Sequence, residues 1–327
     1  MALATTYNVA GDREDLTDFL TILAPEDTPK VSTFAKTKRM TNAYQEWQVD
    51  TLSPANFSGV LEGQDVLAFS NQSVNRARVG NYVQQFREQW MVSRLQEASD
   101  VAGVSSEVAQ SKMKAMRELK RDIEACIGSD NDRQQEAPPA PYKLRALGKW
   151  ISTSPGTDVP AAFRTPSASI DATAISSVTK SLVNNVMKSQ YGQTGRRGTF
   201  MFVCGTSLKA RFSEMVGYQP TVASNTAILH VNRGDGTKWA DTIETFTGDF
   251  GTYDLMLSNW LNVSSGVSDA RRGYALDPSM LELRFNKQWA YKALPDMDGG
   301  PRGVISAIFG LCVKNPLGLA KFAASSD

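Results

Sequence analysis

The longest regular alternation of apolar and polar positions lies between residues 104 and 128. Ser106 is a suitable N-cap, Glu107 suits the first turn, and Gly128 suits the left-handed position that ends many helices. The sequence therefore predicts one long helix of about 22 residues, about 33 Å in length. Apolar side chains recur at steps of three and four and are expected to form its buried side; they are Val108, Ala109, Met113, Met116, Leu119, Ile123, Cys126 and Ile127.

A helix, a strand and a further helix are predicted in the second half of the chain. Asp171 is expected to cap the first of these helices, which ends near residue 192 and has an apolar stripe of Ile175, Val178, Leu182 and Val186. The run TFMFVC at 199–204 is continuously apolar, as in a strand buried on both faces, and residues 207–216 predict the next helix. This order favours an α/β unit with layers on both sides of a sheet.

Strand patterns occupy the flanks of the chain. The runs 44–52 and 82–92 are expected to pair as an antiparallel hairpin, although about 30 aperiodic residues separate them. A two-stranded extension has no core of its own, so we expect it to lie on another subunit. Near the C-terminus, strands are predicted at 280–285, 289–294 and 304–313. Residues 1–40 carry one short apolar patch around Leu16, Phe19 and Leu20, which we expect to dock on a neighbouring molecule.

Composition removes several classes of function. The chain of 327 residues carries 35 basic and 34 acidic side chains, so no net charge steers it toward nucleic acid or an anionic membrane. No secretory signal pattern and no stretch of about 18 apolar residues is present, which predicts a cytosolic product without a membrane span. The three cysteines have apolar neighbours and are expected to be buried, reduced thiols.

Enzyme chemistry has few candidate residues. The single histidine, His230, rules out a multi-histidine metal site, and the sequence contains no phosphate-binding glycine loop. An α/β enzyme is kept as an alternative, with its site at Cys204, Gly205, Thr206 and Ser207, but these residues lack a partner histidine. We therefore predict that the protein is not an enzyme and has no cofactor or metal site.

Short strings distributed along most of the chain point to one family. They are GDREDLTDFL (11–20), PEDTP (25–29), YQEWQVDTL (44–52), VGNYVQ (79–84), ELKRDIEACI (118–127), LGKWIS (147–152) and ALDPSMLELRF (275–285). Together with the order of the elements, they resemble the major capsid proteins of tailed bacteriophages, which have the Hong Kong 97 fold. The resemblance is to the subfamily of the phage SU-ten major capsid protein.

The resemblance implies an α+β fold with five parts. These are an N-terminal arm (1–40), an extended E-loop (41–93), a peripheral domain with a long spine helix (94–164), an axial α/β domain (165–274) and closing strands of the peripheral domain (275–327). It also implies a structural protein that is made in the host cytoplasm and assembles as hexamers and pentamers into an icosahedral virion shell around double-stranded DNA. Scaffold, cement and portal proteins are further candidate partners. An encapsulin-like shell that holds cargo is the alternative of the same fold.

Candidate contact residues follow from this interpretation. For assembly they are Leu16, Phe19, Leu20, Trp47, Phe57, Leu61, Phe69, Arg76 and Arg78. On the spine helix Lys114, Arg117 and Arg121 share one face and are candidates for contact with packaged DNA. Acidic residues interleave with them, including Glu124 four positions after Lys120, so a solvated face of mixed charge is the alternative.

The namesake of the fold joins its subunits by an isopeptide bond from a lysine of the E-loop. This chain has no lysine between residues 41 and 94, and the cations of that segment are four arginines, whose guanidinium groups are poor nucleophiles. We therefore expect a shell that is held together without covalent bonds between subunits.

Overall fold

The computed structural model describes residues 27–36, 40–69, 71, 73, 75–99, 101, 103–195, 197–216, 244–263 and 269–324. The α-helices of this part are α1 Pro29–Thr33, α2 Arg94–Ala98, α3 Glu107–Ile127, α4 Leu147–Trp150, α5 Lys180–Thr194 and α6 Thr206–Val216. Its strands are β1 Tyr44–Val49, β2 Ala77–Tyr82, β3 Gln84–Met91, β4 Ile170–Asp171, β5 Gly198–Cys204, β6 Thr245–Gly248, β7 Gly251–Leu257, β8 Arg272–Leu276, β9 Leu281–Leu294, β10 Arg302–Val313 and β11 Ala320–Ala323.

The strands of the described residues form three sheets. β1 and β2 are an antiparallel pair, and β10 lies between β3 and β9 in an antiparallel sheet. The largest sheet has the order β4-β11-β8-β5-β7-β6, in which β5 and β7 run parallel. The strands predicted at 280–285 and 289–294 are one continuous strand, β9, with an irregular register opposite Ser306 and Ile308 of β10. The sequence had no signal for this continuity because residues 286–288 are polar.

Helix α3 confirms the predicted spine helix, including its cap. The Ser106 hydroxyl accepts a hydrogen bond from the backbone N–H of Ala109. Gly128 is not left-handed as predicted, because its φ is −80° and the chain continues in a right-handed turn. A glycine fits there for another reason: a Cβ would lie 2.3 Å from the carbonyl oxygen of Trp260.

The buried side of α3 differs in part from the prediction. It consists of Ala115, Leu119, Ile123, Glu124, Cys126 and Ile127, whereas Met113 and Met116 are exposed. The helix packs against β3 and β10, so only the residues that face that sheet are covered. The stripe predicted from sequence therefore lies partly on the flank of the helix.

The predicted hairpin pairs differently. β1 pairs with β2 over Tyr44↔Tyr82 to Val49↔Ala77, while β3, which holds most of the run expected to be its partner, pairs with β10. A single residue, Val83, separates β2 from β3, and it lets the chain pass from one sheet to the next. The pairing of β2 was missed because ARVGNY has no regular alternation of apolar residues.

The predicted α/β order is confirmed, but the start of its first helix was wrong. Helix α5 begins at Lys180, and the hydroxyl of Thr179 caps it by accepting from the N–H of Leu182. Asp171 lies instead in β4, where its carboxylate accepts from the N–H of Thr173. The predicted stripe began too early because Ile175 and Val178 are buried in a turn that precedes the helix.

Two hydrophobic cores lie on opposite faces of the six-stranded sheet. Side chains of β5 and β8 alternate between them: Met201, Val203, Tyr274 and Leu276 belong to the core around α3, while Phe200, Phe202, Cys204 and Ala275 belong to the core around α5 and α6. This alternation is the two-layer arrangement that the apolar run at 199–204 predicted.

Candidate assembly surfaces

Residues 51–69, here called the exposed loop, contain no helix or strand in the structure. Their large apolar side chains are 68% to 99% exposed; these are Leu52, Phe57, Val60, Leu61, Val66, Leu67 and Phe69. A chain segment with this many uncovered apolar side chains is typical of an interaction surface. Burial of one such side chain is worth about 1.5–3 kcal/mol, so the segment gains most when another molecule covers it.

The structure places the predicted assembly residues in two environments. Phe57, Leu61 and Phe69 lie in the exposed loop, and Arg76 and Arg78 are exposed on the return from it, with Arg76 Nε 3.4 Å from Asp50 Oδ2. Trp47 instead packs against its own chain, with its ring 5.7 Å from that of Trp150. The candidates Leu16, Phe19 and Leu20, like His230, lie outside the described residues.

The end of the predicted arm is anchored to its own subunit by a buried ion pair that the sequence did not predict. Lys30 and Glu124 are fully buried, with Nζ 2.9 Å from Oε1. The Glu124 carboxylate also accepts the backbone N–H groups of Lys30 and Val31, and Lys30 Nζ donates to Ser258 Oγ and the Trp260 carbonyl. Burial lowers the pKa of Lys30, and the attraction of Glu124 opposes this shift. Glu124 is therefore part of the interior, and its expected place on an exposed mixed-charge face was wrong.

The cations of α3 do not form a continuous basic surface. Lys114 and Arg117 are exposed, whereas Arg121 is half-buried, with its guanidinium 5.4 Å from the centre of the Trp260 ring. Nearby, Glu88 and Asp122 interact. The pKa of Glu88 is raised, first by burial of its side chain and then by the carboxylates next to it. Burial also raises the pKa of Asp122. Cationic and acidic groups thus share this side of the helix.

The residues of the enzyme alternative lie where β5 ends and α6 begins. Burial raises the pKa of the Cys204 thiol to about 12, so the reactive thiolate is scarce at neutral pH. At Gly205 a Cβ would lie 2.3 Å from the carbonyl oxygen of Ala270, which explains the glycine by close packing. Within the described ranges, no group of three or more His, Cys, Asp and Glu side chains could hold a metal ion. The helices of the described part include none that is long and apolar enough to span a membrane.

The base of the β1–β2 hairpin carries a polar network that sequence reasoning also missed. Arg133 donates to the Tyr44 hydroxyl and the Gly80 carbonyl, and Arg145 forms a two-point contact with Asp158. These partners come from separate segments, so local pattern gave no signal for them. The network places the hairpin, and with it the exposed loop, on the body of the subunit.

Comparison with known families decides the identity of this arrangement. The model of the SU10 major capsid protein family matches residues 3–325. The chain belongs to this family. It is therefore a structural shell protein of phage heads, as the resemblance of its short strings implied. The match does not favour the encapsulin-like alternative.

Solved structures agree on the fold of this capsid protein. A structure from Mycobacterium phage Bobi is 10% identical with a TM-score of 0.62, and the match covers 100% of each chain. The capsid structure of Cyanophage P-SCSP1u is 10% identical with a TM-score of 0.59, covering 96% of this chain and 93% of that one. The capsid asymmetric unit of Cyanophage Pam1 is 10% identical with a TM-score of 0.57, covering 100% and 99%. No curated protein matches the chain.

Proposed function

We propose that this capsid protein assembles as hexamers and pentamers into an icosahedral shell around double-stranded DNA, and that the exposed loop holds neighbouring subunits together. The observation that carries the proposal is the set of uncovered apolar side chains in residues 51–69, with Phe57 99% and Leu67 91% exposed. Large apolar surfaces on a self-associating protein gain free energy when copies cover one another. In a closed symmetric shell each such contact is repeated in every subunit.

The test replaces Phe57 and Leu67 together by serine in the full-length protein. Removal of two apolar side chains should reduce the yield of closed particles at least about tenfold, because a loss of about 1.4 kcal/mol in total corresponds to that factor. The matched control is Leu95→Ser, which removes a leucine that is 80% exposed on α2. Negative-stain microscopy and gradient sedimentation measure the yield. Normal particles from the double variant would refute the role of the loop, as would equal losses in the control.

The assignment of chain segments to the parts of the capsid fold belongs to the same proposal. Residues 1–40 act as an arm, 41–93 as the E-loop, 94–164 with 275–327 as the peripheral domain, and 165–274 as the axial domain. Lys114 and Arg117, which are exposed on α3, are the candidates that remain for contact with packaged DNA. Because they stand among carboxylates, we expect weak contact without sequence specificity.

The partners and place of synthesis belong to the same proposal. The protein is made in the host cytoplasm, and its candidate partners in assembly are scaffold, cement and portal proteins. We also propose that it performs no catalysis, because its family is one of structural capsid proteins.

A further inference from the structure

The hairpin β1–β2 packs on the core of its own subunit through Val49 and Val79, and a polar cluster holds its base, where Tyr44 begins β1 and Tyr82 ends β2. Arg133, from the connector after α3, contacts both strands. Its Nη1 donates to the Tyr44 hydroxyl and to the Gly80 carbonyl, the latter at 3.3 Å, and its guanidinium lies 5.4 Å from the centre of the Tyr44 ring. One side chain therefore holds the first residue of β1 and the end of β2 together.

A buried amide fixes β2 to the body. Asn81 is completely buried, and its Nδ2 donates to the carbonyls of Arg145 at 3.0 Å and Leu311 at 2.9 Å. Its Oδ1 accepts the backbone N–H of Arg145 at 2.7 Å. The amide thus joins β2 to β10 and to the segment before α4. Buried hydrogen bonds of this kind hold a single geometry, because an unpaired group would be costly to bury.

Arg145 links the hairpin base to two aspartates and to Trp150. Only 2% of its side chain is exposed, and its two Nη atoms contact the Asp158 carboxylate at 2.9 and 3.0 Å. Its Nε donates to Asp132, and its guanidinium lies 4.8 Å from the centre of the Trp150 ring, on which Trp47 of β1 also packs. Arg133 shares Asp158 at 3.4 Å, so the two guanidinium groups are tied to one carboxylate.

We propose that Tyr44, Asn81, Arg133, Arg145 and Asp158, here called the base cluster, are positioning residues that fix the direction in which the hairpin leaves the subunit. The six residues of β1 span about 20 Å, so a rotation of about 10° at the base would displace the start of the exposed loop by about 3.5 Å. The buried side chain of Val49 at that end opposes the same rotation. Such a displacement is enough to misplace side chains at a contact between copies. This inference rests on the proposed role of the exposed loop.

The test measures hairpin direction separately from folding. Spin labels are placed on Gln48→Cys of β1 and Lys120→Cys of α3 in the full-length soluble protein, and the distance distribution between them is read by double electron–electron resonance. Both positions are exposed, while the native cysteines are buried with raised pKa values and resist labelling. The variant is Arg133→Gln. The matched control is Arg76→Gln, which breaks the exposed ion pair with Asp50 at the other end of the hairpin.

We expect the distribution in Arg133→Gln to broaden by about twofold or more, because loss of the charge-assisted contacts frees the base. The melting temperature should stay near that of the parent, and Arg76→Gln should leave the width unchanged. A distribution in Arg133→Gln as narrow as in the parent would overturn the inference. Equal broadening in Arg76→Gln would overturn it too.

A second variant covers the case in which Arg133→Gln fails to fold. Tyr44→Phe removes only the hydroxyl that accepts from Arg133 and keeps the ring, and it should still broaden the distribution; an unchanged width would overturn the inference. Particle yield then separates the two proposals. Broadening with normal particles would support the base cluster and contradict the role of the exposed loop. No broadening, together with particle loss in the Phe57 and Leu67 variant, would leave the proposed function intact and refute the base cluster.

Discussion

The exposed loop and helix α3 are both rich in apolar residues, but the subunit buries many of those of α3 and leaves those of the loop exposed. Leu119, Ile123 and Ile127 of α3 are completely buried against the sheet of β3 and β10, whereas Phe57 and Phe69 in the loop are almost completely exposed. The difference lies in order along the chain, because apolar residues of α3 recur with the helical period and those of the loop follow no period. Apolar content thus indicates surface that must be buried, and periodicity indicates whether the same subunit buries it.

The largest expected effect concerns the buried anchor of the segment before the hairpin. Lys30→Met leaves the Glu124 carboxylate buried without its cation, and loss of one partner of a buried pair costs about 3–5 kcal/mol in the free energy of unfolding. Lys36→Met, at an exposed lysine of the same segment, is the control and should change little. Denaturant titration measures both. Equal stability of the two variants would mean that the interior ion pair contributes nothing.

The contrast within α3 itself gives the next effect. Leu119→Ala should lower the free energy of unfolding by about 2–5 kcal/mol, because it opens a cavity in the core. Met116→Ala, at a side chain that is 39% exposed on the same helix, should cost less than about 1 kcal/mol. Urea unfolding followed by circular dichroism compares them. Similar losses would show that the burial pattern of α3 is wrong.

A smaller effect is the pH dependence of stability that comes from the pairing of Asp158 with Arg145. Burial opposes ionisation of Asp158, but the hydrogen bonds and charge of Arg145 outweigh it and lower the pKa below the ordinary 3.8. The stabilisation is therefore present above about pH 4 and is lost as pH falls through the folded-state value. The stability gap between the parent and Asp158→Asn should shrink between pH 6 and pH 3. A gap that does not depend on pH would contradict the pairing.

The smallest expected signal is the absence of covalent bonding around the loop. Mature particles boiled in detergent should run as one band at 35.7 kDa, because residues 41–94 contain no lysine and the three cysteines are buried. Electrophoresis under reducing conditions checks this. A ladder of multimers that survives the reducing agent would mean that another side chain supplies a bond.

Sequence pattern predicted the elements whose signals are contiguous. Helix α3 carries its start and period within one run of residues, and strand β5 is one continuous apolar run; both are confirmed, as is helix α6. Two features depend on residues far apart in the chain: the pairing of β1 with β2 and the contact of Lys30 with Glu124. No local sequence pattern predicts them. Arg145 is a similar case, since a single arginine in a sequence does not show that two aspartates will surround it. The loop could be predicted because its lack of period is itself a local signal.

The sheet that carries a core on each face has a consequence for how relatives of this protein diverge. Phe202 and Val203 are neighbours on β5 but fill different cores, so an increase in volume at one pushes the strand toward the other. Substitutions accepted at adjacent positions of β5 and β8 should therefore compensate one another in size, large for small across the strand. Among related capsid proteins, a larger side chain on one face of the six-stranded sheet should accompany a smaller one on the other face, while the distance between the layers stays constant.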